Sequence, residues 1–283
     1  MATIDDLTRL IPPPAAPVHA DGDWAAVEAT LGLSLPADYR ALVAAYGLGG
    51  FDDINLLTPF AAAVSEHADL LWHAGRLHQL LGESRAKNPD AVPFPLFPEP
   101  GGLLEWAGTG TGIALCWLTG GEPDSWPVVV FDYLYHKERY EVGAVDLLHG
   151  HFSGSRVIDG LDEPPRTPWF DAHRDREHVY VRLSDSAVPY AERLRILRAA
   201  LAPTADRGSF VDEDEGDDSR QDHFKAIDRD WQVTYETAYG HQIRVAFPPA
   251  DAAAARSVIF AAARDMGCTV TRTTTHRGEP VWT

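Results

Sequence analysis

The stretch that decides the fold of the first half of the chain is Leu35-Pro-Ala-Asp-Tyr-Arg-Ala-Leu-Val-Ala-Ala-Tyr-Gly-Leu-Gly-Gly-Phe51. Pro36 suits the first position of a helix, where a missing N–H costs nothing, and Gly47 suits the end of a helix. Between them, large apolar side chains recur every three or four residues, which is the period of one helix face. These side chains are Tyr39, Leu42, Val43 and Tyr46. The stretch therefore predicts an amphipathic helix, a turn at Gly49-Gly50 and a strand from Phe51 to Leu57.

Helices are predicted on both sides of this stretch. Asp23 is typical of an N-cap, and the helix after it carries Trp24, Val27 and Leu31 on one face. Thr58-Pro59 predicts the start of a third helix that runs to Leu81 and stops at Gly82. The N-terminal part of the chain is therefore expected to be mainly helical.

From Pro93 onward the pattern changes to short β-prone runs separated by turns rich in Gly, Pro and Asp. This pattern is typical of an antiparallel meander. The predicted strands are 103–106, 112–119, 127–133 and 139–142, and a helix at 143–152 closes the unit. Residues 1–153 are thus predicted to form an α+β domain with an antiparallel sheet and N-terminal helices.

A second domain is predicted after a linker. Residues 154–169 are rich in proline and acidic side chains, which favours a linker. In residues 170–283 the predicted elements are a strand at 178–183, a helix at 189–201, strands at 230–238 and 241–247, a helix at 249–266 and a strand at 268–274. This β-α-β-β-α-β order indicates a small ferredoxin-like α+β domain. Residues 203–223 are expected to be a loop, and its acidic part, 211–222, is expected to be mobile and dispensable for folding.

The net charge of −18 is concentrated in the first half of the chain. Residues 1–165 contain 23 acidic and 8 basic side chains, whereas residues 166–283 contain 19 and 16. A field of this sign disfavours nucleic acids and anionic membranes as partners and speeds association with a basic protein. An acidic surface also serves solubility alone, so the charge does not decide between the two interpretations.

The expected compartment is the cytoplasm. No run of about 18 to 20 apolar residues is present, and the N-terminus lacks the basic start of a signal peptide. The two cysteines, Cys116 and Cys268, lie far apart in predicted strands and are expected to be buried thiols.

The candidate motifs in the sequence lack the spacing that catalysis, metal binding or cofactor binding requires. Gly108-Thr-Gly-Thr-Gly112 lacks the third glycine of a dinucleotide loop and the Lys-Ser/Thr of a phosphate loop, so a turn is expected. Asp212-Glu-Asp-Glu-Gly-Asp-Asp218 lacks the calcium-loop spacing, because His223 stands where a Glu is needed. His149 and His151 have no nearby cysteine pair. No catalytic residue, metal or cofactor is therefore predicted.

Four ordered segments resemble the SUKH superfamily, which includes a fungal regulator of cell-wall synthesis and many bacterial immunity proteins. They are Trp24 to Glu28, Leu35 to Phe51 with its Leu-Pro-Ala-Asp-Tyr start, Gly101-Gly-Leu-Leu-Glu-Trp106, and Ile113 to Val130 with its Cys-Trp-Leu-Thr centre. The resemblance covers about residues 20–153. It implies an α+β scaffold without a defining catalytic residue set, and for bacterial members an immunity protein that neutralises a co-encoded toxin.

The favoured hypothesis is therefore a cytoplasmic protein that binds a basic toxin domain, with no nucleic acid or membrane as partner. Two alternatives stay open: a regulatory or adaptor protein that binds host proteins, and an enzyme with an unrecognised site in the C-terminal domain. Candidate partner-binding residues are acidic side chains at predicted turns and strand ends together with two tyrosines. They are Asp52, Asp53, Glu105, Glu122, Asp124, Asp132, Tyr133 and Tyr135.

Overall fold

The structure is a computed structural model that describes residues 1–90, 92–132, 137–211 and 219–282. The chain divides into two compact units, Met1–His173 and Arg174–Thr283. Each unit contains an antiparallel sheet and several helices, so the α+β class predicted from the sequence is confirmed.

The first unit begins with helices, as the sequence predicts. Its helices are α1 (Ile4–Leu10), α2 (Trp24–Leu31), α3 (Ala37–Tyr46), α4 (Leu70–Ala74), α5 (Arg76–Lys87) and α6 (Ala144–Phe152). Asp23 caps α2 by accepting from the Ala26 N–H, and Gly47 ends α3 with φ of 65°. The predicted helix from Thr58 to Leu81 is wrong, because turns occupy its first part and α5 continues past Gly82 to Lys87.

The sheet of the first unit has seven strands in the order β6-β5-β4-β3-β2-β1-β7. Their bounds are β1 (Gly49–Phe51), β2 (Ile54–Leu56), β3 (Leu103–Thr109), β4 (Ile113–Leu118), β5 (Val128–Asp132), β6 (Lys137–Tyr140) and β7 (Phe170–Ala172). The predicted single strand 51–57 is in fact a tight hairpin, because Asp52 takes φ of 53° and turns the chain back on itself.

Apolar side chains cover both faces of this sheet. One face packs Trp106, Trp117 and Val130 into the larger core with α1, α2, α3 and α6. The other face packs Cys116, Val129 and their neighbours against Leu77 and Leu81 of α5. Burial on both faces explains why β4 and β5 are continuous apolar runs in the sequence, without alternation.

The second unit has a six-stranded sheet in the order β13-β8-β12-β11-β10-β9, with antiparallel pairing throughout. Its elements are β8 (Glu177–Leu183), α7 (Tyr190–Ala200), β9 (Thr204–Val211), β10 (Arg220–Ala226), β11 (Trp231–Glu236), β12 (Gln242–Phe247), α8 (Ala252–Asp265) and β13 (Val270–Thr275). Because β12 lies between β8 and β11, the unit has the split β-α-β arrangement of a ferredoxin-like fold.

The predicted loop 203–223 is wrong, because it contains the paired strands β9 and β10, which extend the sheet. Most of their residues are charged, polar or glycine, and the inward alternation is limited to Phe224 and Ala226. The central acidic residues of the predicted mobile loop, 212–218, lie outside the described residues.

The predicted linker and domain boundaries also differ from the structure. Phe170–Ala172 was placed in the second domain, but this strand pairs with β1 and belongs to the first unit. Phe170 contacts the rings of Tyr46 and Phe51, which explains why the chain stays with the first core as far as His173.

Candidate protein-binding site

Asp52 and Asp53 form the two-residue turn between β1 and β2. Phe51 pairs with Ile54 across this turn, and the positive φ of Asp52 is one that Asp tolerates better than most residues. The Asp52 N–H donates to the carbonyl of Trp169 at 3.3 Å, which fixes the turn against the segment that leads into β7. Both carboxylates are thus positioned at one end of the sheet.

Asp132 reaches the same end of the sheet from another strand. It is the last residue of β5 and pairs with Ile113, the first residue of β4. Together with Asp53 it lines a cleft of about 450 Å³. The other lining residues are Thr111, Gly112, Ile113, Gly160 and Asp162. We call this the acidic cleft.

The acidic cleft carries three carboxylates, from Asp53, Asp132 and Asp162. Burial raises the pKa of Asp53, and the neighbouring charge of Asp162 raises it further. Like charges held together at a partly buried site disfavour ionisation. A cation from a binding partner would relieve this repulsion, so the geometry suits a lysine or arginine side chain.

Glu122 and Asp124 lie at the opposite end of β4 and β5, in the connection between these strands. Asp124 Oδ1 accepts from the Ala37 N–H at 2.7 Å and so satisfies a free donor at the start of α3. Its charge also contributes to the raised pKa of Asp38, for which burial is the larger cause. Glu122 is exposed, so these two carboxylates form a separate acidic site in which Asp124 also has a structural role.

The prediction that Glu105 points outward is wrong. Its side chain is 6% exposed, and Oε2 lies 2.9 Å from Nδ1 of His73 on α4. The other ring nitrogen of His73 lies 3.0 Å from the carbonyl oxygen of His67. A bulge in β3 after Glu105 shifts the register, and Glu105 pairs with Cys116 of β4. Glu105 therefore fixes α4 to the sheet and is not available to a partner.

Among the predicted site residues, Tyr133 and Tyr135 lie outside the described residues. One residue that the sequence did not predict for the site, Asp162, lines the acidic cleft. Asp162 was read as part of the linker, and nothing in the local pattern of Asp162-Glu-Pro-Pro165 indicates that it returns to the sheet. Its proximity to Asp53 follows from the path of the chain into β7.

Among the described residues, no group of three or more His, Cys, Asp or Glu side chains is arranged to hold a metal ion. Within the same ranges, no helix has the length and apolar composition needed to cross a bilayer.

Residues 21–145 match the family model SUKH_6, described as SMI1-KNR4 cell-wall. The first unit therefore contains a SUKH-type domain, which confirms the resemblance seen in the sequence. SUKH domains are in general non-enzymatic and immunity-protein-like. No curated protein and no solved structure matches the chain. The family match ends before the second unit begins.

Proposed function

We propose that this protein is a cytoplasmic, non-enzymatic immunity protein that binds a basic toxin domain through the acidic cleft and blocks its activity. The family match supports a binding scaffold in the first unit. The observation that carries the proposal is the convergence of the carboxylates of Asp53, Asp132 and Asp162 around one cleft.

The charge of the first half of the chain gives the cleft a long-range role. An excess of acidic side chains steers a basic partner toward the surface and raises association rates by roughly 10- to 10³-fold at low salt. A toxin that cleaves nucleic acid needs a basic cleft for its substrate. An acidic inhibitor that fills this cleft competes with the substrate directly.

Affinity requires buried contacts in addition to charge. Interfaces concentrate binding energy in a few anchors, and tyrosine is enriched among them. Tyr133 and Tyr135 directly follow Asp132 in the sequence, so we propose them as the anchors beside the acidic cleft.

The test is co-expression with the C-terminal domain of any large secreted toxin whose gene lies directly beside this one. The binding variant is Asp53→Lys combined with Asp132→Lys. The control is Glu83→Lys combined with Asp90→Lys, which changes the net charge equally at exposed positions outside the cleft. We expect the binding variant to slow association by about tenfold or more and to abolish protection, and the control to change the rate by about twofold.

Binding should also weaken on acidification. Protonation of Asp53 removes a charge that the basic partner needs, and the raised pKa moves this loss to a higher pH than for an ordinary aspartate. Equal effects of both double variants, or cell death with the unmodified protein and no complex at low salt, would refute the immunity function. Capture of several host proteins instead of one toxin would favour the regulatory alternative.

A further inference from the structure

β13 is the outermost strand of the second sheet at one side, and residues 279–282 run back along its outer edge. We call this segment the strap. The Val281 N–H donates to the carbonyl of Thr273 on β13 at 3.2 Å. Thr274 and Pro280 form an antiparallel bridge beside this contact. The strap therefore occupies part of the backbone edge that an outermost strand otherwise leaves unpaired.

A tight turn at residues 276–278 connects β13 to the strap. The Gly278 N–H donates to the carbonyl of Thr275 at 3.0 Å, and the Thr275 N–H donates to the carbonyl of Glu279 at 2.8 Å. Gly278 takes φ of 81°, which glycine adopts without strain. A connection this short holds the strap beside β13 at an effective concentration of roughly millimolar or more, so weak contacts are enough to keep it in place.

Trp282 anchors the strap in an aromatic slot of the second core. Its ring stacks on that of Phe247, with centroids 5.6 Å apart and planes at 22°, and meets the ring of Phe260 edge-on at 6.1 Å. Phe247 is buried at the end of β12, and Phe260 is half-buried on α8. Arg256, which lies one turn earlier on α8, donates from Nε to the Trp282 carbonyl at 3.2 Å. The slot thus binds both the ring and the backbone of Trp282.

The strap is held less firmly than a core strand. Trp282 has φ of 56°, a left-handed conformation that is strained for a bulky residue. Val281 and Trp282 are half-buried, and Glu279 and Pro280 are exposed. Segments with few buried apolar contacts open at a low cost in free energy. A segment that is not tied to β13 by the turn can present the same side chains without this strain, and so can compete with the strap.

We propose that the strap is an autoinhibitory contact over a strand-addition site, and that this site accepts an extended polypeptide segment with an aromatic side chain in the position of Trp282. Strand addition to a sheet edge draws affinity from main-chain hydrogen bonds and specificity from pockets for side chains. The strap shows both features, because Val281 bonds to the edge and Trp282 fills the slot. The site lies within the second unit, so the proposal does not depend on the function proposed for the first unit.

The experiment measures fluorescence anisotropy of a labelled peptide, Gly-Glu-Pro-Val-Trp-Thr, which repeats residues 278–283. The proteins are the full chain, a truncated variant that ends at Gly278, and the full-length variant Trp282→Ala. Tyr239→Ala is the matched control, because it removes an aromatic side chain that is 68% exposed on the turn between β11 and β12. A control peptide has alanine in place of the tryptophan. Thermal unfolding verifies that each variant is folded.

We expect the truncated variant to bind the peptide at least about tenfold more tightly than the full chain does, because the tethered strap no longer competes. Trp282→Ala should also bind the peptide more tightly than the full chain, whereas Tyr239→Ala should bind it as weakly as the full chain. The alanine peptide should bind the truncated variant at least about tenfold more weakly, since it lacks the ring that enters the slot.

The proposal is overturned if the folded truncated variant binds the peptide no more tightly than the full chain, or if it binds both peptides equally. If truncation unfolds the second unit, Trp282→Ala decides, and binding no tighter than that of Tyr239→Ala overturns the proposal. A truncated variant that sediments as a dimer and does not bind the peptide also overturns it, because the edge of β13 then pairs with a second copy.

Discussion

The two sheets of this protein differ in how many of their faces are covered. In the first unit, apolar side chains pack on both faces, from Trp106 and Trp117 on one side to Cys116 and Phe131 on the other. In the second unit, the core cluster with α7 and α8 lies on one face, and the other carries polar and charged rows. The first sheet therefore has an apolar core on each face, whereas the second has a single core on one face.

The largest expected effect tests whether the units unfold separately. Gly47 has φ of 65°, and a Cβ added there would lie 2.2 Å from the Val18 carbonyl oxygen, so Gly47→Ala combines backbone strain with a clash. We expect a loss of about 3 kcal/mol in the first unit, measured by denaturant unfolding, and none in the second.

Gly32→Ala is the matched control, because Gly32 has φ of 71° but open space around its Cβ position. It should cost about 1 kcal/mol through backbone strain alone. If Gly47→Ala instead lowers the midpoint of one unfolding transition shared by the whole chain, the expectation that the two units unfold independently is wrong.

The next largest expected effect distinguishes a carboxylate with a structural role at the first sheet from one that is proposed to bind the partner. Glu105→Ala removes the partner of His73, a histidine whose side chain is only 12% exposed. We expect it to cost about 2 to 3 kcal/mol in the free energy of unfolding and to leave partner affinity unchanged. Glu122→Ala, at an exposed position, should stay within about 0.5 kcal/mol. A stable Glu105→Ala protein that has lost its partner would contradict the structural role.

The smallest effect is a difference in pH response. Burial lowers the pKa of His178, His223 and His241 in the second unit. A histidine with a lowered pKa contributes stability above its unfolded value, and this stability is lost as the pH falls through the folded value. The second unit should therefore lose stability as the pH falls below about 6.5.

The first unit should respond in the opposite direction at its buried aspartates. Burial raises the pKa of Asp38, Asp53 and Asp69, so their contribution is present at low pH and lost as the pH rises through the folded values. Among the described residues of this unit, His151 is the one histidine with a resolved pKa shift, and burial lowers its pKa. Thermal unfolding at about pH 7.5 and pH 5 should show the second transition falling relative to the first. Parallel shifts would refute this difference.

The parts of the fold that the sequence predicts are those with strong apolar patterns or turn residues. The strand around Trp117 is a continuous apolar run, and α3 is bounded by Pro36 and Gly47. By contrast, β9 is the edge strand of its sheet and β10 lies next to it, and Phe224 is one of few apolar residues that mark their inward face. Their pairing depends on tertiary context that local propensity does not encode.

The sequence predicts Asp132 near the end of a strand, whereas it places Asp52 and Asp53 inside a predicted strand that is a hairpin in the structure. Asp52 and Asp53 reach the surface because they form a hairpin turn, and Asp132 reaches it because β5 ends there. Glu105 was misplaced because a β-bulge decides which side chains face inward, and a bulge has no clear signal in this sequence. Asp162 joins the cleft through a chain path that local patterns do not show.

The pairing of β7 with β1 also has a consequence for biosynthesis. Gly49 and Ala172 are neighbours in the sheet, yet more than a hundred residues separate them along the chain. During translation, β1 therefore has an unpaired edge until residues 170–172 have left the ribosome, and closing so long a loop is slow. An expression fragment that ends at residue 145 or 153 would keep this edge open permanently and invite strand pairing between copies. A fragment of the first unit should therefore extend to His173.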